Sequence, residues 1–165
     1  MELILFRHGI AIDREDPDCP GEEERFLTEK GIARSHAAAR GLARLGVAPD
    51  RIVSSPLLRA RQTALIAAEE LGIDPGTVEE WPELAYWIDP AATLRRLSRL
   101  RDGQVLLAGH RPHLDELLAA ALGWENAAVT TLKKAGAACV DWFPPAGELR
   151  WLLTPRALRD LGSLS

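Results

Sequence analysis

Leu3-Ile4-Leu5-Phe6 is a continuous apolar run that ends directly on Arg7-His8-Gly9. A run of that length is what a strand buried on both faces looks like, because neither side of it meets water. Val105–Ala108 has the same character and runs into Gly109-His110-Arg111-Pro112-His113. Ile52-Val53 is a shorter version that runs into Ser54-Ser55-Pro56. Between these runs the pattern turns helical. Thr28 suits an N-cap for a helix over 29–45, stopped by Gly46 and Pro49. Ser55 followed by Pro56 offers an N-cap and a proline at the first helical position, opening a helix that ends near Leu71 and Gly72. Residues 77–81 read as a strand, 92–100 and 114–122 as helices, 138–143 and 149–153 as a closing hairpin, and 156–161 as a terminal helix. Strands alternating with helices predict an α/β chain. The expected form is a three-layer α/β/α sandwich with a mostly parallel central sheet and an antiparallel edge strand.

The 165 residues are expected to make one domain over 1–165. With 47% hydrophobic and 27% charged residues, the chain is neither disordered, collagen-like nor a coiled coil. A net charge of −4, from 20 basic and 24 acidic residues, disfavours nucleic acid as a partner. Cys19 and Cys139 stand far apart and suggest neither a disulfide framework nor a cysteine metal site. No stretch approaches the ~20 apolar residues of a membrane span. Met1-Glu2 leads straight into the first apolar run without a charged leader. A cytoplasmic protein with no membrane partner is expected.

The charge is uneven. Asp13, Glu15, Asp16, Asp18, Glu22, Glu23 and Glu24 face a single base, Arg14, within residues 13–24. With Pro17, Pro20 and Gly21 among them, they read as a long mobile loop. Such a loop is either a solvated connection or a lid that screens anionic substrates. If it closes over a pocket, it should favour a basic protein surface over multiply phosphorylated small anions.

Ligands in open α/β sheets bind beyond the carboxyl ends of the strands. Arg7, His8, Arg59 and His110 are placed by topology along that edge. A cation at Arg59, in the first turn of a helix, faces the positive end of the macrodipole and loses roughly 0.3–1 kcal/mol. An anion seated there reverses the sign, held by free N–H groups and the guanidinium together. Ser55, Arg59 and Gln62 have the spacing of one helical face, whereas Arg61 points elsewhere, towards a surface or supporting salt bridge. Ser55 joins Arg7, Gly9, Arg59 and His110 as a candidate phosphate-binding residue. His8 is the candidate nucleophile, since neutral imidazole is available near physiological pH and can accept a phosphoryl group. Gly9 permits a tight turn and lets backbone approach a ligand. Arg7 and Arg59 would hold phosphoryl oxygens, and His110, protonated or donating an N–H, would complete the cage.

The runs L-I-L-F-R-H-G at 3–9, L-T-E-K-G at 27–31, S-S-P-L-L-R-A-R-Q-T-A at 54–64 and L-L-A-G-H-R-P at 106–112 resemble the histidine phosphatase (phosphoglycerate mutase-like) superfamily. The likeness is greatest to its short bacterial branch, the SixA-type phosphohistidine phosphatases. The resemblance implies a transient phosphohistidine on His8, a phosphate pocket of Arg7, Arg59 and His110, and no metal or other cofactor. Many members carry an acidic proton donor after the third strand. Glu83 is the only acid in Trp81–Trp87 and falls before the leucine that the donor would follow. It is either that general acid or a loop residue. A missing acid costs most with an alkoxide leaving group, about 10²–10⁴-fold, and less with the nitrogen of a phosphoramidate.

Other residues admit plainer readings. His36 sits on an apolar helical stripe and is expected to pack. His113 would line the pocket, cap a helix or lie at the surface, and Arg111 would shape the pocket mouth or be a surface charge. Trp87, beside Tyr86, could contact substrate. The expected function is hydrolysis of phosphohistidine on a protein partner. The alternatives are a phosphomonoesterase for a small phosphorylated metabolite and a weakly active phosphoprotein-binding module.

Overall fold

The computed structural model describes residues 1–125 and 130–164. Six strands form one sheet: β1 (Glu2–Arg7), β2 (Arg51–Ser54), β3 (Glu79–Glu80), β4 (Gln104–Gly109), β5 (Ala137–Asp141) and β6 (Glu148–Leu153). Their order across the sheet is β3-β2-β4-β1-β5-β6. The pairs β3–β2, β2–β4 and β4–β1 are parallel, while β5 runs antiparallel to β1 and β6 antiparallel to β5. The antiparallel part is therefore two strands, of which only β6 is an edge.

Alternation along β1 shows why these strands are apolar throughout. Ile4 and Phe6 enter one core cluster, with Ala38, Ala39, Leu42, Ala64 and Leu158. Leu3 and Leu5 enter the other, with Leu97, Leu114, Leu117 and Leu118. The first cluster is covered by α1 (Glu29–Arg44), α2 (Leu58–Glu70) and α5 (Pro155–Gly162), the second by α3 (Pro90–Leu97) and α4 (His113–Ala121). Helices on both faces of a mostly parallel sheet make the three layers the pattern implied.

The caps explain most boundaries. Thr28 accepts from Gly31 N–H at 3.0 Å, Thr154 from Ala157 N–H at 3.2 Å, and Asp89 from Ala91 N–H at 2.9 Å. The Asp89-Pro90 start moves α3 two residues earlier than its apolar spacing suggested. The second helix departs from expectation in the other direction. It begins at Leu58 with Leu57 as its cap residue and no side-chain cap; the Ser55 hydroxyl, expected to cap it, accepts from Leu57 N–H and reaches across to His110. The expected strand over 77–81 shrinks to Glu79–Glu80, since Pro75–Thr77 makes a 3₁₀ turn instead.

Register brings the chemical residues together. Arg7 lies opposite Gly109 and Ser54 opposite Ala108. His8 N–H continues the ladder to Gly109 C=O at 3.0 Å, and Ser55 N–H to Ala108 C=O at 3.0 Å. Three strand ends thus deliver His8, Ser55 and His110 side by side. No helix among the described residues is long and apolar enough to cross a membrane.

Candidate active site

Arg7, His8, Arg59 and His110, distant in sequence, line one cavity of about 430 Å³. Its rim adds Arg14, Arg25, Arg111 and Lys134, with Tyr86 on one side. Six cations and no carboxylate line it among the described residues. Like charges concentrated this way repel one another unless an anion sits among them.

His8 is 7% exposed, and its Nδ1 lies 2.7 Å from Gly9 C=O. A carbonyl only accepts, so Nδ1 carries the proton and Nε2 keeps its lone pair. Burial, with Arg59, Arg7 and Lys134 adding to it against the Gly9 bond, pushes His8 down to about 3. At neutral pH it is an uncharged base with a fixed tautomer. His110 stands with its ring centroid 5.0 Å from that of His8. Burial first, then His8 and Arg59, pushes it to about 2. Of the two forms expected of His110, the neutral N–H donor fits this burial and the protonated one does not. Ser55 Oγ accepts from Leu57 N–H at 3.4 Å and lies 2.8 Å from His110 Nε2. A serine proton given to Nε2 leaves the imidazole N–H on Nδ1, which has no partner among the described residues. Ser55 therefore orients an imidazole donor instead of capping a helix.

Arg7 Nη1 donates to Leu132 C=O at 2.7 Å, and its buried Nε has no partner among the described residues. Asp115 holds this corner by accepting from Leu132 N–H at 2.8 Å and from Arg111 Nε at 2.5 Å. Asp115 was missed in the sequence, although its i,i+4 spacing from Arg111 was a legible signal. Gly9 has another reason than a turn: a Cβ there would collide with Ser35 Oγ, so the glycine lets α1 approach β1. Its N–H donates to Thr63 Oγ1 at 3.1 Å, and Thr63 in turn donates to Arg59 C=O at 2.7 Å.

The acidic segment is not a free loop. Ala11 and Leu27 bridge its base, and Arg25 clasps Ile12 C=O through Nη2 at 2.8 Å. Glu22 reaches Arg59 with Oε1 at 2.8 Å from Nη2, while its carbonyl accepts from Nη1 at 2.9 Å. The same carboxylate takes Arg14 Nε at 2.9 Å. These contacts, the Arg14 hydrogen bond foremost, hold Glu22 down at about 2. An anion does sit at Arg59, and it is the protein's own. Gln62 faces the segment too, accepting from Leu27 N–H at 2.7 Å.

Glu83 lies elsewhere. Its carboxylate binds Arg96 Nη1 at 2.9 Å, and Arg96 in turn stacks 4.0 Å over the Trp81 ring. That arrangement keeps Glu83 out of the lining of the cavity. Arg61 pairs with Glu80 at 2.8 Å, and His36 with Glu70 at 2.8 Å. His113 is fully buried, not at the surface, and burial pushes it to about 4. Trp87 is exposed, edge-on to Tyr86, whose ring lies 6.0 Å from that of His110. Among the described residues no group of three or more His, Cys, Asp or Glu side chains could hold a metal ion.

Three buried neutral histidines make stability depend on pH. Unfolded, each takes up a proton as pH falls through its ordinary 6.5, while the native forms resist until about 4, 3 and 2. The unfolded chain binds more protons in that window, so their contribution is intact above pH 6.5 and lost below it. At pH 5 the expected loss is about 2 kcal/mol per histidine. Urea midpoints at pH 7.5 and pH 5 measure it, and equal midpoints would remove the account.

The family model described as histidine phosphatase superfamily (branch 1) matches residues 3–88. The chain belongs to this superfamily. It is 41% identical to an uncharacterized protein of Picosynechococcus over 137 residues, 82% of each chain. It is 27% identical to the mitochondrial serine/threonine-protein phosphatase Pgam5 of Drosophila simulans over 121 residues, and it spans only 39% of that protein. Among solved structures, the protein histidine phosphatase SixA complexed with tungstate superposes with a TM-score of 0.83 at 27% identity, covering 96% of this chain and 99% of that one. The α-ribazole phosphatase of Shigella flexneri shares the fold, with a TM-score of 0.77 at 20% identity over 94% and 97% of the two chains. Phosphatase chemistry is thus supported by both the family and the neighbours.

Proposed function

We propose that the protein hydrolyses phosphohistidine on a partner protein, through a covalent phosphohistidine on His8. One observation carries the choice of substrate: the cavity is ringed by cations yet, among the described residues, has no carboxylic acid in its lining to protonate a departing alkoxide. Glu22, whose carboxylate reaches Arg59, is held too low to donate a proton at neutral pH. The likeness to SixA at 27% identity supports the same reading.

In this mechanism Nε2 of His8 attacks phosphorus in line with the leaving nitrogen. The new N–P bond forms as the substrate N–P bond breaks, and the bonding pair stays on an imidazole that solvent can protonate. Arg7, Arg59 and the Nδ1–H of His110 take the non-bridging oxygens, where charge must be stabilised. Water then attacks phosphorus, releasing inorganic phosphate and restoring neutral His8. No metal enters any step.

The second reading, a phosphomonoesterase for small metabolites, draws on the shared fold with the α-ribazole phosphatase. The test compares a histidine-phosphorylated protein or peptide with a panel of sugar phosphates. With no acid in the pocket, the phosphohistidine substrate should exceed the best sugar phosphate by about 10²-fold or more in kcat/KM. Equal or reversed values would transfer the assignment to the small-molecule reading.

A further inference from the structure

We infer that a cationic groove beside the catalytic cavity is a second anion site, so that the substrate carries acidic groups next to its scissile phosphate. This deepens the phosphatase reading and rests on it. The groove encloses about 520 Å³, within the range of small-ligand sites. It shares Arg7 and Lys134 with the catalytic cavity, so the two flank one wall. Arg34, Lys133 and Arg159 supply its other charges, and no carboxylate lines it among the described residues.

Neither Arg34, Lys133, Lys134 nor Arg159 makes an ion pair among the described residues, whereas Arg40 and Arg156, nearby in sequence, both do. The cost of crowding is visible at Lys134, whose ammonium is lowered by burial, Arg7 and Arg25, with only Asp13 opposing. The walls are firm. Arg34 stands on α1 and Arg159 on α5, and these helices touch backbone to backbone. A Cβ on Gly41 would strike the Leu158 carbonyl, and one on Gly162 the Ala37 carbonyl. Ile10, Ala135 and Pro155 complete the lining. Apolar surface beneath cations suits a carboxylate carried on a hydrocarbon stem, as in glutamate or aspartate side chains flanking a phosphorylated residue. This groove would select an acidic partner segment, whereas the acids of residues 13–24, of which Glu22 grips Arg59 in the catalytic cavity, line no part of the groove itself.

The experiment uses the full chain and the double variant Arg34→Gln/Arg159→Gln. Two histidine-phosphorylated peptides are compared, one with glutamates flanking the phosphohistidine and one with glutamines. A second pair is fructose 1,6-bisphosphate and fructose 6-phosphate; p-nitrophenyl phosphate is the reference. The wild type should favour the acidic peptide about tenfold in kcat/KM, mostly through KM, as expected of one or two charge-assisted contacts. The double variant should lose that preference and keep its p-nitrophenyl phosphate activity. A preference confined to the bisphosphate and lost in the variant keeps the site and assigns it to a small molecule. No preference in either pair, or one that survives the double variant, overturns the inference. If no substrate is turned over, the phosphatase reading fails, and anisotropy of the labelled peptides still decides the groove by the same comparison.

Discussion

His8→Ala is expected to lose turnover by on the order of 10⁴-fold or more while the fold survives, as for removal of other covalent nucleophiles. The size follows from what His8 contributes. It splits one displacement at phosphorus into two, and nothing else in the cavity lining among the described residues can replace it at neutral pH. His110 is a neutral imidazole too, but its Nε2 is held by Ser55 Oγ at 2.8 Å, and the other nitrogen carries the proton on that assignment. The lysine and arginine side chains around it are protonated and have no lone pair to offer. The fold survives because the backbone of His8 is fixed independently of its ring, by the 3.0 Å bond from its N–H to Gly109 C=O. Circular dichroism and a thermal melt check the fold. Trapping of radiolabelled phosphate on the wild type, absent in His8→Ala, checks the covalent step. Turnover retained by the purified variant would remove His8 from the reaction and with it the two-step scheme.

What the sequence shows and what it hides divide along a physical line. Contacts made by the main chain are legible. The run Leu3–Phe6 had to be a strand buried on both faces, and its parallel partner Val105–Ala108 had the same composition. The pairing of Arg7 with Gly109 follows from two such strands ending at one level. Contacts made by long side chains across loops are not legible. Nothing in the spacing of Glu22 and Arg59 tells of a 2.8 Å ion pair across 37 residues, because both can reach in many directions. Ser55 misled for a related reason. Its hydroxyl has the chemistry of an N-cap, but tertiary contact with His110, 55 residues away, claims it. Glu83 was suggested by position alone, and Arg96 draws its carboxylate outward. Composition placed the acid excess in residues 13–24 but could not show that Arg14, Arg25 and Arg59 would gather around one of its members.

Arg59→Ala is expected to lower kcat/KM by on the order of 10²–10³-fold, the usual consequence of removing one preorganised donor to a developing oxyanion. Arg59 is 3% exposed and enters the cavity from the first turn of α2, where free backbone N–H groups add their partial charge to its own. Its two terminal nitrogens are now occupied by Glu22, through Oε1 at 2.8 Å and the carbonyl at 2.9 Å. One carboxylate oxygen and the backbone carbonyl of Glu22 take the two donors that a phosphoryl group would use, so substrate and Glu22 compete for the same guanidinium. Glu22→Gln should therefore lower KM and the inhibition constant of vanadate several-fold, with kcat within about twofold, since a neutral amide is displaced more easily than a carboxylate. Glu23→Gln and Glu24→Gln should do neither. The competition predicts its own disappearance: in an Arg59→Ala background, Glu22→Gln should change KM little, because the contested group is gone. A rise in KM on Glu22→Gln alone would mean that the carboxylate positions Arg59 for substrate, and the charge at the mouth of this pocket would have to be read as support for binding, not opposition to it.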